Sequence, residues 1–64
     1  RSPFTPRELE VLGLVADGLG TAEIARRLLC SERTVKNVLH EVTERFGLRN
    51  RCHAIAYALR AGAI

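Results

Sequence analysis

The sequence predicts an all-α fold, in which four helices form a compact four-helix bundle that contains a helix-turn-helix. Apolar residues recur at intervals of three and four along the chain, and no stretch shows the sustained alternation of a half-buried strand. Cap residues and glycines divide this pattern into four segments. The 64 residues, 47% of them hydrophobic, are enough for one small core. We therefore expect residues 1–64 to form a single domain.

The first helix has a well-marked start and a glycine at its end. Thr5 is the candidate N-cap, Pro6 suits the first helical position, and Glu8 completes a capping box. Gly18 is expected to end the helix in a left-handed conformation. The apolar residues that recur at helical spacing are Leu9, Val11, Leu12, Leu14, Val15, Ala16 and Leu19.

The second helix is short and leads into a tight connection. Gly20 or Thr21 caps it, and Leu29 with Cys30 forms the connection. The residues expected to point inward are Ile24, Ala25 and Leu28.

The third helix is longer and spans about Ser31–Phe46, with Ser31 as its N-cap and Gly47 as its end. Its inward face is formed by Val35, Val38 or Leu39, Val42 and Phe46. A short helix, a turn of a few residues and a longer helix with a polar face make a helix-turn-helix.

A fourth helix begins after Asn50, which is a good N-cap, and closes at Gly62. Its apolar residues are Ile55, Ala56, Leu59 and nearby alanines.

The outward side of the third helix carries Arg33, Lys36, Asn37 and His40, at positions i, i+3, i+4 and i+7. Such side chains donate hydrogen bonds to base edges, and the N-terminal part of a recognition helix is the part that reaches bases. An ordinary solvated face of an amphipathic helix would look similar. The pattern therefore favours DNA binding without establishing it.

The basic excess lies in the middle of the chain. Residues 21–51 carry seven basic and four acidic groups, a net charge of +3, whereas residues 1–20 carry two basic and three acidic groups, a net charge of −1. The remaining residues contain one basic group, for a total of +3. A positive field around the helix-turn-helix favours a polyanionic partner such as nucleic acid.

The cysteines and histidines do not have the spacing of a zinc site. Structural zinc ligands usually come in close pairs, whereas Cys52 and His53 are adjacent and Cys30 and His40 lie far along the chain. Each cysteine occupies a position where a helical pattern would place an apolar residue, so we expect buried, reduced thiols. No phosphate-binding loop or metal cluster is visible, so we expect no enzymatic activity and no cofactor.

No run of apolar residues approaches the roughly 20 that a membrane span requires. We expect no membrane partner.

Several motifs along the whole chain together resemble one known family. They are Phe4-Thr5-x-Arg7-Glu8-x-Glu10-Val11-Leu12, Val15-Ala16-x-Gly18-Leu19, Glu23-Ile24-Ala25-x-x-Leu28, Ser31-x-Arg33-Thr34-Val35-Lys36 and Phe46-Gly47-Leu48-x-Asn50-Arg51, followed by Ala54. On these residues the chain resembles the LuxR-type (GerE-type) helix-turn-helix domain of bacterial transcription regulators. No single motif is specific, but the combination is, and it implies sequence-specific binding of double-stranded DNA.

The resemblance implies roles for particular side chains. Asn37 and His40 would face the major groove with Lys36 beside them, and the other assigned residues would contact the DNA backbone. The full set assigned to DNA binding is Thr21, Arg33, Thr34, Lys36, Asn37, His40 and Arg51.

The resemblance also implies partners. The family binds DNA as a dimer and pairs its domains through the fourth helix, which here would use Ala56, Tyr57 and Arg60. Close packing within the domain would explain the alanines equally well. We expect a homodimer on DNA, an upstream sensor or receiver domain, and a location in the bacterial cytoplasm. The chain would then be the C-terminal part of a longer regulator.

Some positions depart from the family pattern: Gly20 replaces Ser or Thr, Cys30 replaces Ile or Val, Val38 replaces His, His53 replaces Glu, and His40 stands where Lys is common. Because of the departures at Val38 and His40, the resemblance does not indicate which DNA sequence the domain would bind. Two other interpretations remain, a sigma-factor-like promoter-reading domain and a helical protein-interaction module. The helix after Asn50 favours the regulator over the sigma factor.

Overall fold

A computed structural model describes residues 3–64 and consists of four α-helices. These are α1 (Pro6–Ala16), α2 (Thr21–Arg27), α3 (Glu32–Phe46) and α4 (Arg51–Arg60). No strand occurs in the described part, so the predicted all-α class with four helices is confirmed. Residues 1 and 2 of the expected domain lie outside the described residues.

The helix α3 lies at the centre of the bundle. It packs against α1, α2 and α4, whereas α2 and α4 do not contact each other within residues 3–64. The helix α1 also packs on both α2 and α4, so it covers the core from the other side. The position of α3 is therefore set by all the remaining helices.

The start of α1 is fixed by reciprocal hydrogen bonds. The Glu8 N–H donates to Thr5 Oγ1 at 3.1 Å, and the Thr5 N–H donates to Glu8 Oε1 at 2.9 Å. The predicted capping box is therefore confirmed. At the other end Gly18 has φ 95°, a left-handed conformation that glycine adopts without steric cost. Of the apolar residues at helical spacing in α1, Ala16 is exposed.

The core is formed by apolar side chains from all four helices and from the segment before α1. Its buried members are Phe4, Val11, Leu12, Ile24, Ala25, Val35, Leu39, Val42, Ala54 and Ala58. Of the two α3 residues that the sequence left open, Leu39 is buried and Val38 is half-buried.

The inner face of α4 differs from the expectation for Cys52. Ala54 and Ala58 are fully buried, whereas Cys52 is exposed. At about 100° per residue, Cys52 points roughly 160° away from Ala54, so it cannot share the buried side. The expected buried thiol is wrong at Cys52, while Cys30 is half-buried.

One buried polar interaction joins distant parts of the chain. The Glu8 side chain is 5% exposed, and it accepts a hydrogen bond from Arg45 Nη2 in the last turn of α3. Burial raises the pKa of this carboxyl, but hydrogen bonds from Arg45 and from the Thr5 N–H outweigh burial and leave the pKa below its usual value. The Glu8 carboxylate therefore caps α1 and also holds α3.

Three aromatic rings close the bundle beside this ion pair. Phe46 lies 5.2 Å from Phe4 and 5.0 Å from Tyr57, measured between ring centroids. The Arg45 guanidinium carbon lies 5.0 Å from the centroid of the Phe46 ring. The segment before α1, the end of α3 and the middle of α4 thus meet in one cluster.

We expect Glu8→Gln to lower the free energy of unfolding by about 1–2 kcal/mol at pH 7, because it removes a charge-assisted hydrogen bond. The effect should stay below that of a fully buried pair, since the Arg45 side chain is 41% exposed. The folded-state pKa of Glu8 is depressed, so the stability it provides is present above its unfolded pKa and is lost as pH falls through the folded pKa.

Urea denaturation followed by circular dichroism at pH 7 and at pH 2–3 measures both effects. The matched control is Glu10→Gln, which neutralises an exposed carboxylate on the same helix. Equal losses for the two variants at pH 7 would contradict the assigned role of Glu8.

Candidate nucleic-acid interface

The N-terminus of α3 is capped by Ser31. The Thr34 N–H donates to Ser31 Oγ at 3.1 Å, and the two hydroxyl oxygens lie 2.9 Å apart. The predicted N-cap at Ser31 is confirmed, and α3 ends at Gly47, which has φ 65°. The helix thus has a fixed start from which polar side chains project.

The four polar residues of the expected DNA-reading face are all exposed. Arg33, Lys36, Asn37 and His40 lie on the side of α3 away from its buried residues, as their spacing predicted. From Arg33 to His40 the helix rises roughly 10 Å, a length that fits within a major groove about 12 Å wide. We call Arg33, Lys36, Asn37 and His40 the polar face of α3.

A carboxylate joins α2 to this polar face. Thr21 Oγ1 donates a hydrogen bond of 2.7 Å to Glu32 Oε2, and Lys36 Nζ lies 3.9 Å from the same oxygen. Thr21 and Glu32 are the first residues of α2 and α3, so the contact brings the two helix N-termini side by side. The sequence pattern does not single out Glu32 as part of this surface, although an acidic residue four positions before Lys36 indicates an i,i+4 pair.

The turn between α2 and α3 is held by its backbone. The Cys30 N–H donates to the Ala25 carbonyl at 2.9 Å, and Leu29 adopts φ 56° with 93% of its surface exposed. The expected connection at Leu29 and Cys30 is confirmed. A left-handed leucine costs about 1 kcal/mol, which the surrounding main-chain hydrogen bonds must offset.

Arg51 lies on a separate element, as the exposed first residue of α4. The His53 N–H donates to Asn50 Oδ1 at 2.9 Å, which confirms Asn50 as the N-cap. The Arg49 N–H donates in turn to His53 Nδ1 at 3.2 Å. These bonds fix the chain direction at the point where Arg51 projects.

The residues expected at a dimer interface differ in their burial along α4. Ala56 is half-buried and Arg60 is exposed, whereas the half-buried Tyr57 packs against Phe46. Leu59, which is 54% exposed, lies roughly 60° from Ala56 around the helix axis, on the outer side. The outer stripe of α4 is therefore more apolar than the sequence pattern indicated.

Within residues 3–64 no three His, Cys, Asp or Glu side chains are grouped to hold a metal ion. Among the same residues, no helix combines the length and apolar character needed to cross a membrane.

Comparison with known proteins gives concordant matches. The pattern of the family described as bacterial regulatory proteins, luxR family, matches residues 2–58. The transcriptional regulatory proteins YxjL and DesR of Bacillus subtilis (strain 168) are 42% and 43% identical to this chain over 97% and 95% of its length. The chain spans 28% and 31% of those two proteins, about a third of their length.

Solved structures agree with this result. The structure of the transcription factor GerE has a TM-score of 0.95 at 35% identity, covering 98% of this chain and 94% of that one. The response regulator ChrA of a heme-sensing two-component system has a TM-score of 0.89 at 34% identity, covering 100% of this chain and 32% of that one.

The cap of α2 can be improved. Gly20 is the N-cap with φ −82° and makes no side-chain cap hydrogen bond, and an added Cβ would meet nothing within 4 Å. We expect Gly20→Ser to raise the free energy of unfolding by about 0.5–1 kcal/mol, through a new cap bond and a less flexible unfolded chain. Gly20→Ala is the control, since it stiffens the chain without a cap. The melting temperature of Gly20→Ser should be higher than that of Gly20→Ala. The reverse order would refute the proposed cap hydrogen bond.

Proposed function

The chain belongs to the luxR family of bacterial regulatory proteins, and on that basis we propose that α3 enters the major groove and reads DNA sequence with its polar face. The chain is a helix-turn-helix domain of the transcription-regulator type, with a fold like that of GerE. The observation that carries the proposal is the exposed, basic N-terminal half of α3 beside the N-terminus of α2.

Base reading is proposed for the middle of the polar face. Lys36 can donate to the acceptors of guanine, and Asn37 can bind adenine through its amide oxygen, which accepts, and its amide NH₂, which donates. His40, one turn beyond Lys36, can donate or accept at a third base. Further along α3 the exposed Glu41 and Glu44 would be repelled by phosphate, so the basic N-terminal end is the one proposed to face the duplex.

Backbone contacts are proposed for the residues around the helix starts. Thr21 opens α2, Thr34 lies in the first turn of α3 and Arg33 precedes it, so these groups can bind phosphates beside the groove. Arg51 opens α4 and would reach a phosphate from another element. Such contacts position the protein on DNA and make its affinity depend on salt.

Pairing of two chains through α4 is proposed for the complex with DNA. The support is the outer stripe of α4, where Leu59 is 54% exposed and neighbours Ala56 and Arg60. Tyr57 would contribute only the part of its ring that the aromatic cluster leaves accessible. The small area of this stripe fits a weak interface that forms when two chains occupy neighbouring half-sites.

A longer regulator is proposed as the context of this domain. YxjL and DesR are about three times its length, and ChrA is named a response regulator of a two-component system. An upstream receiver domain and a bacterial cytoplasmic location fit that context, as does the absence of a catalytic role for this domain.

Selection of bound sequences from a random duplex pool tests DNA reading directly. A selected half-site supports the proposal. Failure to enrich any duplex, with unchanged protein spectra on adding DNA, would instead favour a protein-interaction module. Binding to a promoter element only after RNA polymerase is added would favour the sigma-factor interpretation.

On the selected site, we expect Lys36→Ala to weaken binding by about 1–3 kcal/mol and to relax the preference at one base pair. Arg33→Ala is the matched comparison, because it also removes one exposed cation from α3. It should weaken binding to selected and random duplexes alike and reduce the salt slope by about one unit. Fluorescence anisotropy titrations over a salt series measure both. Identical losses of specificity for the two variants would refute the division between base and phosphate contacts.

For the pairing of two chains, we expect Leu59→Gln to reduce cooperative binding to a two-half-site duplex by about tenfold. Affinity for a single half-site should be unchanged, and that duplex serves as the control. Equal cooperativity of the variant and the parent chain in the same titration would argue against the α4 interface.

A further inference from the structure

Ser31 and Thr34 place two hydroxyl groups against each other at the start of α3. Their oxygens lie 2.9 Å apart, and Ser31 Oγ also accepts a hydrogen bond from the Thr34 N–H at 3.1 Å. Thr34 belongs to the set proposed to contact the DNA backbone, whereas Ser31 does not. The geometry of the pair nevertheless links the two side chains, so the Thr34 hydroxyl depends on its neighbour.

The hydroxyl pair contains one proton more than its own hydrogen bond needs. Each hydroxyl can donate once and accept twice, and a single proton is enough to join the two oxygens. Ser31 Oγ already accepts the Thr34 N–H, and it can use its own proton to donate to Thr34 Oγ1. The Thr34 proton then remains available for an outside acceptor, such as a phosphate oxygen, without loss of the bond within the pair.

A second threonine on α3 shows what a hydroxyl does without such a neighbour. Thr43 Oγ1 donates to the His40 carbonyl at 2.7 Å, a bond back to the helix itself that uses its only proton. Thr34 Oγ1 lies instead against the Ser31 hydroxyl. Since threonine side chains in helices choose between two orientations, a proton donated by Ser31 favours the one that faces the cap.

We propose that Ser31 is a positioning residue, which donates to Thr34 Oγ1 and thereby leaves the Thr34 hydroxyl proton free to bind a phosphate of the DNA backbone. This inference deepens the proposed function and rests on it, since it requires that Thr34 lies beside a phosphate when α3 is in the groove. The role is separate from capping, because the cap uses the Ser31 oxygen as an acceptor and the positioning uses its proton.

The test variant is Ser31→Asn, which separates the two roles. Asparagine caps helices about as well as serine, but the amide oxygen that accepts the Thr34 N–H has no proton to donate. The Thr34 hydroxyl would then donate to that oxygen, and a phosphate would have to compete for its proton. The matched control is Ser31→Thr, which keeps a hydroxyl at the same position. Affinities are measured by fluorescence anisotropy on the selected duplex.

We expect Ser31→Asn to bind the selected duplex about threefold to tenfold more weakly, the equivalent of one hydrogen bond given up on binding. Ser31→Thr should bind close to the unmodified chain. Neither variant removes a charge, so the salt slope of binding should stay the same for both. Equal affinities of the asparagine and threonine variants would overturn the proposal, whatever their melting temperatures.

A second variant tests whether Ser31 acts through Thr34. Thr34→Val removes the hydroxyl and keeps the branched shape and the backbone N–H that the cap binds. In this background Ser31→Asn should no longer weaken binding, because there is no Thr34 proton left to position. An undiminished loss of affinity would overturn the role given to Thr34.

The failures of the two proposals are distinguishable. If the unmodified chain shows no salt-dependent binding to any duplex, the proposed function fails and the role of Ser31 fails with it. If Thr34→Val leaves the affinity for a selected site unchanged, the phosphate contact of Thr34 is overturned together with its positioning. If Thr34→Val weakens binding but Ser31→Asn does not, only the role of Ser31 is overturned.

Discussion

The packing of α3 against all three other helices is the constraint on which the rest of this structure depends. One side of α3 supplies Val35, Leu39 and Val42 to the core, which leaves the opposite side free for polar residues. Because the buried side is held from several directions, the helix cannot rotate without losing core contacts. The orientation of the polar face is therefore a product of core packing, and DNA need not impose it.

The far end of α3 is held by a different kind of interaction. Arg45 reaches back to the buried carboxylate of Glu8, and Phe46 packs between Phe4 and Tyr57. These contacts fix α3 to the start of α1 and to α4, at the end opposite to the proposed groove-reading residues. The anchor and the proposed DNA-reading residues thus lie at opposite ends of one helix, so substitutions at the polar face need not weaken the anchor.

Local features of this fold could be predicted from the sequence, and long-range ones could not. The caps at Thr5, Ser31 and Asn50 depend on neighbours three residues away, so the sequence pattern alone indicates them. Glu8 and Arg45 are 37 residues apart, and nothing local marks them as partners. The exposure of Cys52 does not follow from the sequence pattern, because the inner face of α4 is formed by alanines, whose small size gives a weak hydrophobic signal. The polar face followed from helical period alone, whereas Glu32 joins it through a contact between two helices.

The turn before α3 has a consequence for how this sequence can change over evolutionary time. Leu29 projects almost wholly into solvent, and the turn around it is held by main-chain hydrogen bonds. Side-chain identity at this position therefore contributes little to the angle between α2 and α3. Drift toward asparagine or glycine would relieve the left-handed backbone and leave that angle intact. The turn can thus vary in sequence while the placement of α3 against α2 is kept.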